Sequence, residues 1–289
     1  MKQSFFKKEL QSMMNLDSEN GIDNSEMKNL LAVVKEKKGI DFSDYAYPSL
    51  HRRISRFIEI NRLSGFSELI SKIKNVEGFA DSFIHEITVN VTEMFRDPWF
   101  WVTLRDHVLP SLRNKPVISI WHAGCSMGEE VYSMAILLKE EKLLSKAKIV
   151  ATDINMEALK KARNGIYLLK NQELNENNYF HLGGKGKLSE HYKIEGNMAQ
   201  YDQELIKRVE FKRHDLSSDP YFGMFDMVIC RNVFIYFNLS LQEKVLGVFS
   251  QSLNPGGFLG IGSKESVSWL KGARYFKPIS IEDKVFVKV

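Results

Sequence analysis

The sequence predicts an α/β protein whose parallel sheet is preceded by a small all-helical domain. Three observations predict it. Helical periodicity runs from Ser25 to about residue 90. From Pro116 onward, short apolar runs alternate with helical segments. Glycines, acids or an Arg-Asn pair stand at the carboxyl ends of those runs, where ligands of open α/β sheets bind. Strands alternating with helices indicate a parallel sheet covered on both faces.

Residues 1–24 are polar and read as a tail. Ser25 then caps a helix through Leu30, Leu31 and Val34, stopped at Gly39. Leu50, Ile54, Phe57 and Ile58 share the apolar face of a second helix, with Arg52, Arg53 and Arg56 on its other face and Arg62 beyond. Phe66, Leu69, Ile70 and Ile73 mark a third helix, and Phe79, Phe83, Ile84 and Ile87 a fourth. Residues 25–90 are thus a helical domain and 91–115 a linker, with an α/β domain over 116–289.

Within that domain, Val117–Trp121, Ile149–Thr152, Phe225–Cys230 and Gly257–Gly262 read as strands. Helices follow the first three, running through Leu138 and starting at Met156 and Leu241. Lys284–Val289 alternates like a strand that pairs antiparallel at or near a sheet edge. Between Asn175 and Arg213 the rhythm breaks at Gly183, Gly184, Gly186 and Gly196. An insertion over about 175–207 is expected there, with a strand at Tyr192–Glu195 and another, Arg208–Lys212, ending the segment.

Composition excludes several classes. Forty basic against 36 acidic residues leave a net charge of +4, too mild for nucleic acid as the main ligand. Two cysteines, Cys125 and Cys230, make neither a disulfide framework nor a metal cluster, and fit a reduced cytoplasmic protein. No apolar run is long enough to span a bilayer, and no secretory leader is expected. No metal site is expected.

The strongest local chemistry lies at Gly124-Cys125-Ser126-Met127-Gly128, followed by Glu129 and Glu130. The spacing Gly-x-x-x-Gly is neither a dinucleotide fingerprint nor a P-loop, and the two acids disfavour a phosphate. Asp153 ends the next strand, where a carboxylate accepts from both hydroxyls of a ribose; the competing account makes it a helix cap. Arg231 and Asn232 end the third strand, either as site residues or as a satisfied core pair.

Together these residues resemble the protein-glutamate methyltransferases of bacterial chemotaxis, from about Leu30 to the C-terminus. Four segments carry the resemblance: Thr88–Pro98 around Asn90, Thr92 and Arg96; Ala123–Ser133; Ala151–Ile154 with Ala162, Gly165 and Tyr167; and Cys230–Phe237. The resemblance implies a Rossmann-like, S-adenosylmethionine-dependent methyltransferase sheet with a small β insertion and an N-terminal helical domain. It implies a cofactor site built from Asn90, Thr92, Arg96, Glu130, Asp153, Asp215, Leu216, Arg231 and Asn232. Arg96 and Tyr236 are then the catalytic pair, nearest the transferred methyl group. Met94 stands where the family usually has phenylalanine, and Asp215 where asparagine is common. The implied cofactor is S-adenosylmethionine, with S-adenosylhomocysteine as product. The implied partner is the cytoplasmic helices of a chemoreceptor, with a receptor tether at the β insertion. The chain is expected to act as a cytoplasmic monomer without membrane insertion.

The chemistry suits these residues. A glutamate carboxylate, of reference pKa about 4.3, is ionised at neutral pH and needs no general base. Positioning then dominates, and can supply roughly 7–11 kcal/mol at best. Arg96 matches a carboxylate's geometry; its competing role is a surface pair with Asp97 or Asp106. Tyr236 orients the same carboxylate or packs in the core. The basic face at Arg52, Arg53 and Arg56 either docks an acidic helix or is simply solvated. The alternative to an enzyme is a non-catalytic module that senses S-adenosylmethionine or its product; retention of Arg96 and Tyr236 argues for the enzyme. A nucleic-acid methyltransferase is disfavoured by the balanced charge.

Overall fold

The computed structural model describes residues 24–88 and 92–289. The polar N-terminal tail up to residue 23 and Asn90 lie outside them.

Four helices open the described chain: α1 (Asn24–Lys38), α2 (Tyr47–Ile60), α3 (Phe66–Asn75) and α4 (Phe79–Ile87). α1 begins at Asn24, so Ser25 lies inside its first turn rather than at the cap. It ends at Gly39, whose φ of +65° suits glycine there. Leu30, Leu50, Ile54, Leu69 and Phe83 close a separate apolar core among these helices.

The expected linker is largely helical. α5 (Pro98–Thr103) leads through a π-helical turn, Leu104–Val108, into α6 (Leu109–Leu112). Phe100, Trp101, Leu104 and Val108 bury it against one face of the sheet. Proline at the first helical position needs no N–H partner, which starts α5 sharply.

Among the described residues the main sheet has seven strands: β1 (Ile118–Ala123), β2 (Ala147–Asp153), β6 (Val209–Arg213), β7 (Phe225–Cys230), β8 (Leu253–Ile261), β9 (Phe276–Ser280) and β10 (Val285–Lys288). Their order is β6-β2-β1-β7-β8-β10-β9. The first five are parallel; β10 runs antiparallel to both β8 and β9. Connecting helices are α7 (Glu129–Glu140) after β1, α8 (Met156–Asn164) after β2 and α10 (Leu239–Ser252) after β7. Alternate side chains serve the two faces: Ile120, Ile149 and Met227 enter one core, Trp121, Val228 and Leu259 the other. The chain order reverses at β1, between β2 and β7, and places a crevice at their carboxyl ends.

A second, three-stranded sheet has the order β3-β5-β4, formed by β3 (Ile166–Leu168), β5 (Met198–Tyr201) and β4 (Tyr192–Glu195); α9 (Gln172–His181) lies between β3 and β4 in the chain. Two expectations are corrected here. The small sheet begins at Ile166, not near 175, because three residues with only Tyr167 buried are too short to show alternation. The segment around Arg208–Lys212 belongs to the main sheet, where β6 pairs in parallel with β2. The expected last strand, Lys284–Val289, corresponds to β10, and β9 beside it is the true edge. No helix among the described residues is long and apolar enough to cross a membrane.

Candidate functional site

The crevice is walled by residues from β1, β2, β7 and the helical domain. After β1, the N–H groups of Gly124 and Cys125 both donate to the carbonyl of Thr152, at 2.8 Å each, which folds the turn over the end of β2. Gly124 has φ +79°, and a Cβ there would meet Val233 Cγ2 at 2.6 Å. Glycine therefore lets the loop after β7 lie against the turn. Asp153 ends β2 almost fully buried. Its Oδ2 accepts from Ser126 N at 2.8 Å and its Oδ1 from Asn155 N at 2.9 Å. Burial pushes this carboxyl up despite those bonds. The helix-cap role falls to Asn155, whose side chain accepts from the N–H groups of Glu157 and Ala158. Asp153 keeps free lone pairs and lines the pocket.

β6 delivers His214, Asp215 and Leu216 to the same crevice. Asp215 is 1% exposed. Its Oδ1 accepts from the N–H and Oγ of Ser217, at 2.8 and 2.6 Å, while its Oδ2 has no partner among the described residues. A buried carboxylate oxygen left unpaired at a pocket wall awaits a donor.

Arg231 and Glu130 serve a purpose that motif matching does not show. The Arg231 side chain is 2% exposed. It donates to Asp97 Oδ2 at 2.7 Å, to the carbonyl of Arg96 at 2.8 Å and to Glu130 Oε2 at 3.2 Å, with its guanidinium 4.3 Å from the Phe100 ring centre. Glu130 also bonds His122 Nδ1 at 2.9 Å. Burial pushes the Glu130 carboxyl up, but His122 and Arg231 outweigh it and hold it below the usual glutamate range. Arg231 thus clamps the segment that carries Arg96. That segment needs a clamp, since Phe95 and Asp97, on either side of Arg96, have φ of +51° and +55°. Phe95 N donates to Ser133 Oγ at 2.9 Å, and Trp101 Nε1 to the Arg96 carbonyl at 3.1 Å.

Arg96 itself is half-buried on the pocket wall and has no ion pair among the described residues. Its two expected surface partners are engaged elsewhere: Asp97 with Arg231, and Asp106 with Arg105. Thr92 also lines the pocket, as does Asn232, whose φ is +62°.

The helical domain supplies the opposite wall, with Tyr45, Arg53 and Thr88. The assignment of Arg53 to the outer face of α2 is therefore corrected. Positions 50, 54 and 57 are buried, and position 53, three from one and four from another, falls on their flank. Arg53 donates to Ser49 and to the Ile87 carbonyl, and its guanidinium lies 4.7 Å from the Tyr236 ring centre. Arg52, Arg56 and Arg62 are exposed. Tyr236 is half-buried, while Phe234 and Phe237 beside it take the core positions. Burial pushes the Tyr236 hydroxyl up, and the charges of Arg53 and Arg96 pull it back. Tyr45 reaches the site through an isolated bridge to Phe237, flanked by bonds from Ala46 N to the Tyr236 carbonyl and from Asn238 N to the Asp44 carbonyl. Sequence reasoning missed Tyr45; nothing local distinguishes it from a core aromatic.

Both cysteines are buried, and burial pushes their thiols well up, which makes them poor nucleophiles. Among the described residues, no group of three or more His, Cys, Asp or Glu side chains is placed to hold a metal ion.

A parallel sheet with an antiparallel strand inserted beside its edge, and a carboxylate-lined crevice at the switch point, marks the class of S-adenosylmethionine-dependent methyltransferases. Residues 90–285 match the family described as CheR methyltransferase, SAM binding domain, and residues 25–88 match CheR methyltransferase, all-alpha domain. The chain belongs to the CheR methyltransferase family. It is 40% identical over 263 residues to the protein Cher3 of Pseudomonas putida, covering 91% of this chain and 96% of that one. It is 34% identical over 238 residues to a chemotaxis protein methyltransferase of Listeria innocua, covering 81% and 87%. A chemotaxis protein methyltransferase of Borreliella burgdorferi is 30% identical over 271 residues, covering 89% and 93%. The chain is an enzyme that uses S-adenosylmethionine; the non-catalytic alternative is not favoured.

Proposed function

We propose that the chain transfers the methyl group of S-adenosylmethionine to glutamate side chains of a chemoreceptor-like protein, forming methyl esters in chemotaxis adaptation. One observation carries the substrate class: Arg96, free of any ion pair among the described residues, shares the pocket wall with Tyr236, whose hydroxyl feels both Arg96 and Arg53. A cationic, partly desolvated wall with a phenol suits an incoming carboxylate.

The residues present fit the cofactor. The unpaired Oδ2 of Asp215 suits an adenine amino group, and Leu216 beside it an adenine face. Asp153 suits the ribose hydroxyls. Asn90, Thr92, Glu130, Arg231 and Asn232 complete the cofactor set, with Arg231 and Glu130 acting through the clamp on the Arg96 segment. When bound, the cofactor supplies an electrophilic methyl group on a sulfonium. Arg96 and Tyr236 are then the catalytic residues, which hold the substrate carboxylate in line and dry. No side chain has to remove a proton from it.

The partner is the cytoplasmic helices of a receptor. Exposed Arg52 and Arg56 on α2, beside Arg53 at the pocket, favour an acidic helix. A receptor tether adding to the small sheet is supported by β4, whose outer edge is unpaired among the described strands. The chain acts as a cytoplasmic monomer in this reading. The test is incubation with methyl-labelled cofactor and receptor-containing membranes. The label is expected on the receptor and lost in mild base, as from a carboxyl ester. Base-stable label, or none on the receptor, rejects the reading.

A further inference from the structure

Glu265 stands just past the end of β8, 3% exposed, with no ion pair among the described residues. Its carboxylate gathers backbone N–H groups instead. Oε2 accepts from Gly262 N at 2.6 Å and from Asn232 N at 3.0 Å, and Oε1 accepts from Ile235 N at 3.3 Å. One side chain therefore ties the end of β8 to the loop after β7. Gly262 makes the approach possible: a Cβ there would sit 2.7 Å from Glu265 Oε2 and 2.8 Å from Asn232 N. Asn232 itself is in the left-handed region, with φ +62°.

A buried carboxylate without a cation is poor value for stability, since well-packed apolar groups usually serve better. The groups it holds are informative. Asn232 is one of them, and Ile235 directly precedes Tyr236. We infer that Glu265 is a positioning residue, whose carboxylate sets the Asn232–Tyr236 turn from behind so that both side chains face the methyl-transfer pocket. The inference rests on the proposal that Asn232 and Tyr236 serve that pocket. Glutamine has the same shape but turns one acceptor oxygen into an NH₂ group that faces an N–H. Aspartate keeps the charge but is one methylene too short to reach both sides.

The test uses the full chain with Glu265→Gln and Glu265→Asp. It measures S-adenosylhomocysteine affinity by calorimetry, single-turnover methyl transfer to receptor membranes, and amide exchange at 232–236. In folded Glu265→Gln the transfer rate is expected to fall at least about tenfold, the scale of one lost charge-assisted bond, with faster exchange at Asn232 and Ile235. Aspartate is expected not to rescue it. A merely structural carboxylate lowers Tm and leaves the rate per folded molecule alone. A folded Glu265→Gln protein whose transfer rate stays within about twofold of the parent, whatever its Tm, overturns the inference, and so does unchanged amide exchange at Asn232 and Ile235. If that variant does not fold, Gly262→Ala crowds the same contact and is judged by the same three readouts. Tyr236→Phe runs in parallel: an undiminished rate there rejects the role of Tyr236, while affinity and exchange in Glu265→Gln still decide the role of Glu265.

Discussion

Replacing Arg231 with methionine removes the hub of the pocket's polar network and keeps its volume. The guanidinium lies between Asp97 and Glu130, donates to the Arg96 carbonyl and covers Phe100. Methionine restores only the contact with Phe100. Breaking a buried charged cluster by removing one partner costs about 3–5 kcal/mol. Asp97, with 36% of its side chain exposed, recovers solvent easily, so its share is discounted. Glu130, 16% exposed, keeps only His122 and carries most of the loss. The low end, about 3 kcal/mol, is therefore expected, or a Tm lower by about 6–12 °C in a chain of this size. Urea unfolding at neutral pH with an unchanged m-value reads the loss directly. Adding Glu130→Gln should return part of it, because the stranded charge is then gone. A loss below about 1 kcal/mol, or strictly additive losses in the double variant, would refute the clamp.

Arg96→Ala should leave stability within about 1 kcal/mol, since Arg96 has no ion pair among the described residues, yet nearly abolish transfer, with lysine rescuing poorly. Single-turnover rates near the parent's would remove Arg96 from the catalytic pair. Asp153→Ala should weaken cofactor affinity at least about tenfold, because the carboxylate positions the Ser126 amide as well as facing the pocket; calorimetry on folded protein checks it. Burial pushes the Glu129 carboxyl up to about 8. Its folded pKa thus exceeds the unfolded one, the native state binds the extra proton, and this group's contribution to stability declines as pH rises from about 4.5 to about 8. Glu129→Gln should therefore gain on the parent across that window, by a few kcal/mol at most, and level off above it. Unfolding curves at pH 5 and 8 showing a constant difference would contradict this.

The alternation of apolar runs with helical periodicity was enough to read α2, α3, α4, β2 and β7, because the helices each bury one regular face and β7 is an apolar run buried on both faces of the sheet. β9 escaped notice because only Phe276 of its five residues is buried and Pro278 interrupts it. In the site, Gly124 and Asp153 were legible because a strand end followed by a turn restricts what can stand there. Arg53 was misplaced because its charge was weighed above its helical position. Arg231 was legible as unusual but not as a clamp. Its polar partners come from two other segments, at 96–97 and 130, and only the folded chain brings them together.

The seam between Asp44–Ala46 and Tyr236–Asn238 joins residues as much as 194 positions apart. Contacts so distant in the chain close long loops, so they are expected to form after the local ones. The helices of the first domain can condense early on local contacts, and the sheet can grow from its parallel pairs. The pocket, which takes Tyr45 and Arg53 from one and Asp153 and Tyr236 from the other, is complete only when the two have docked. Cofactor binding should therefore reward the last step of folding alone. In an unfolding experiment, S-adenosylhomocysteine should slow the separation of the halves and leave the melting of either half, once parted, unchanged.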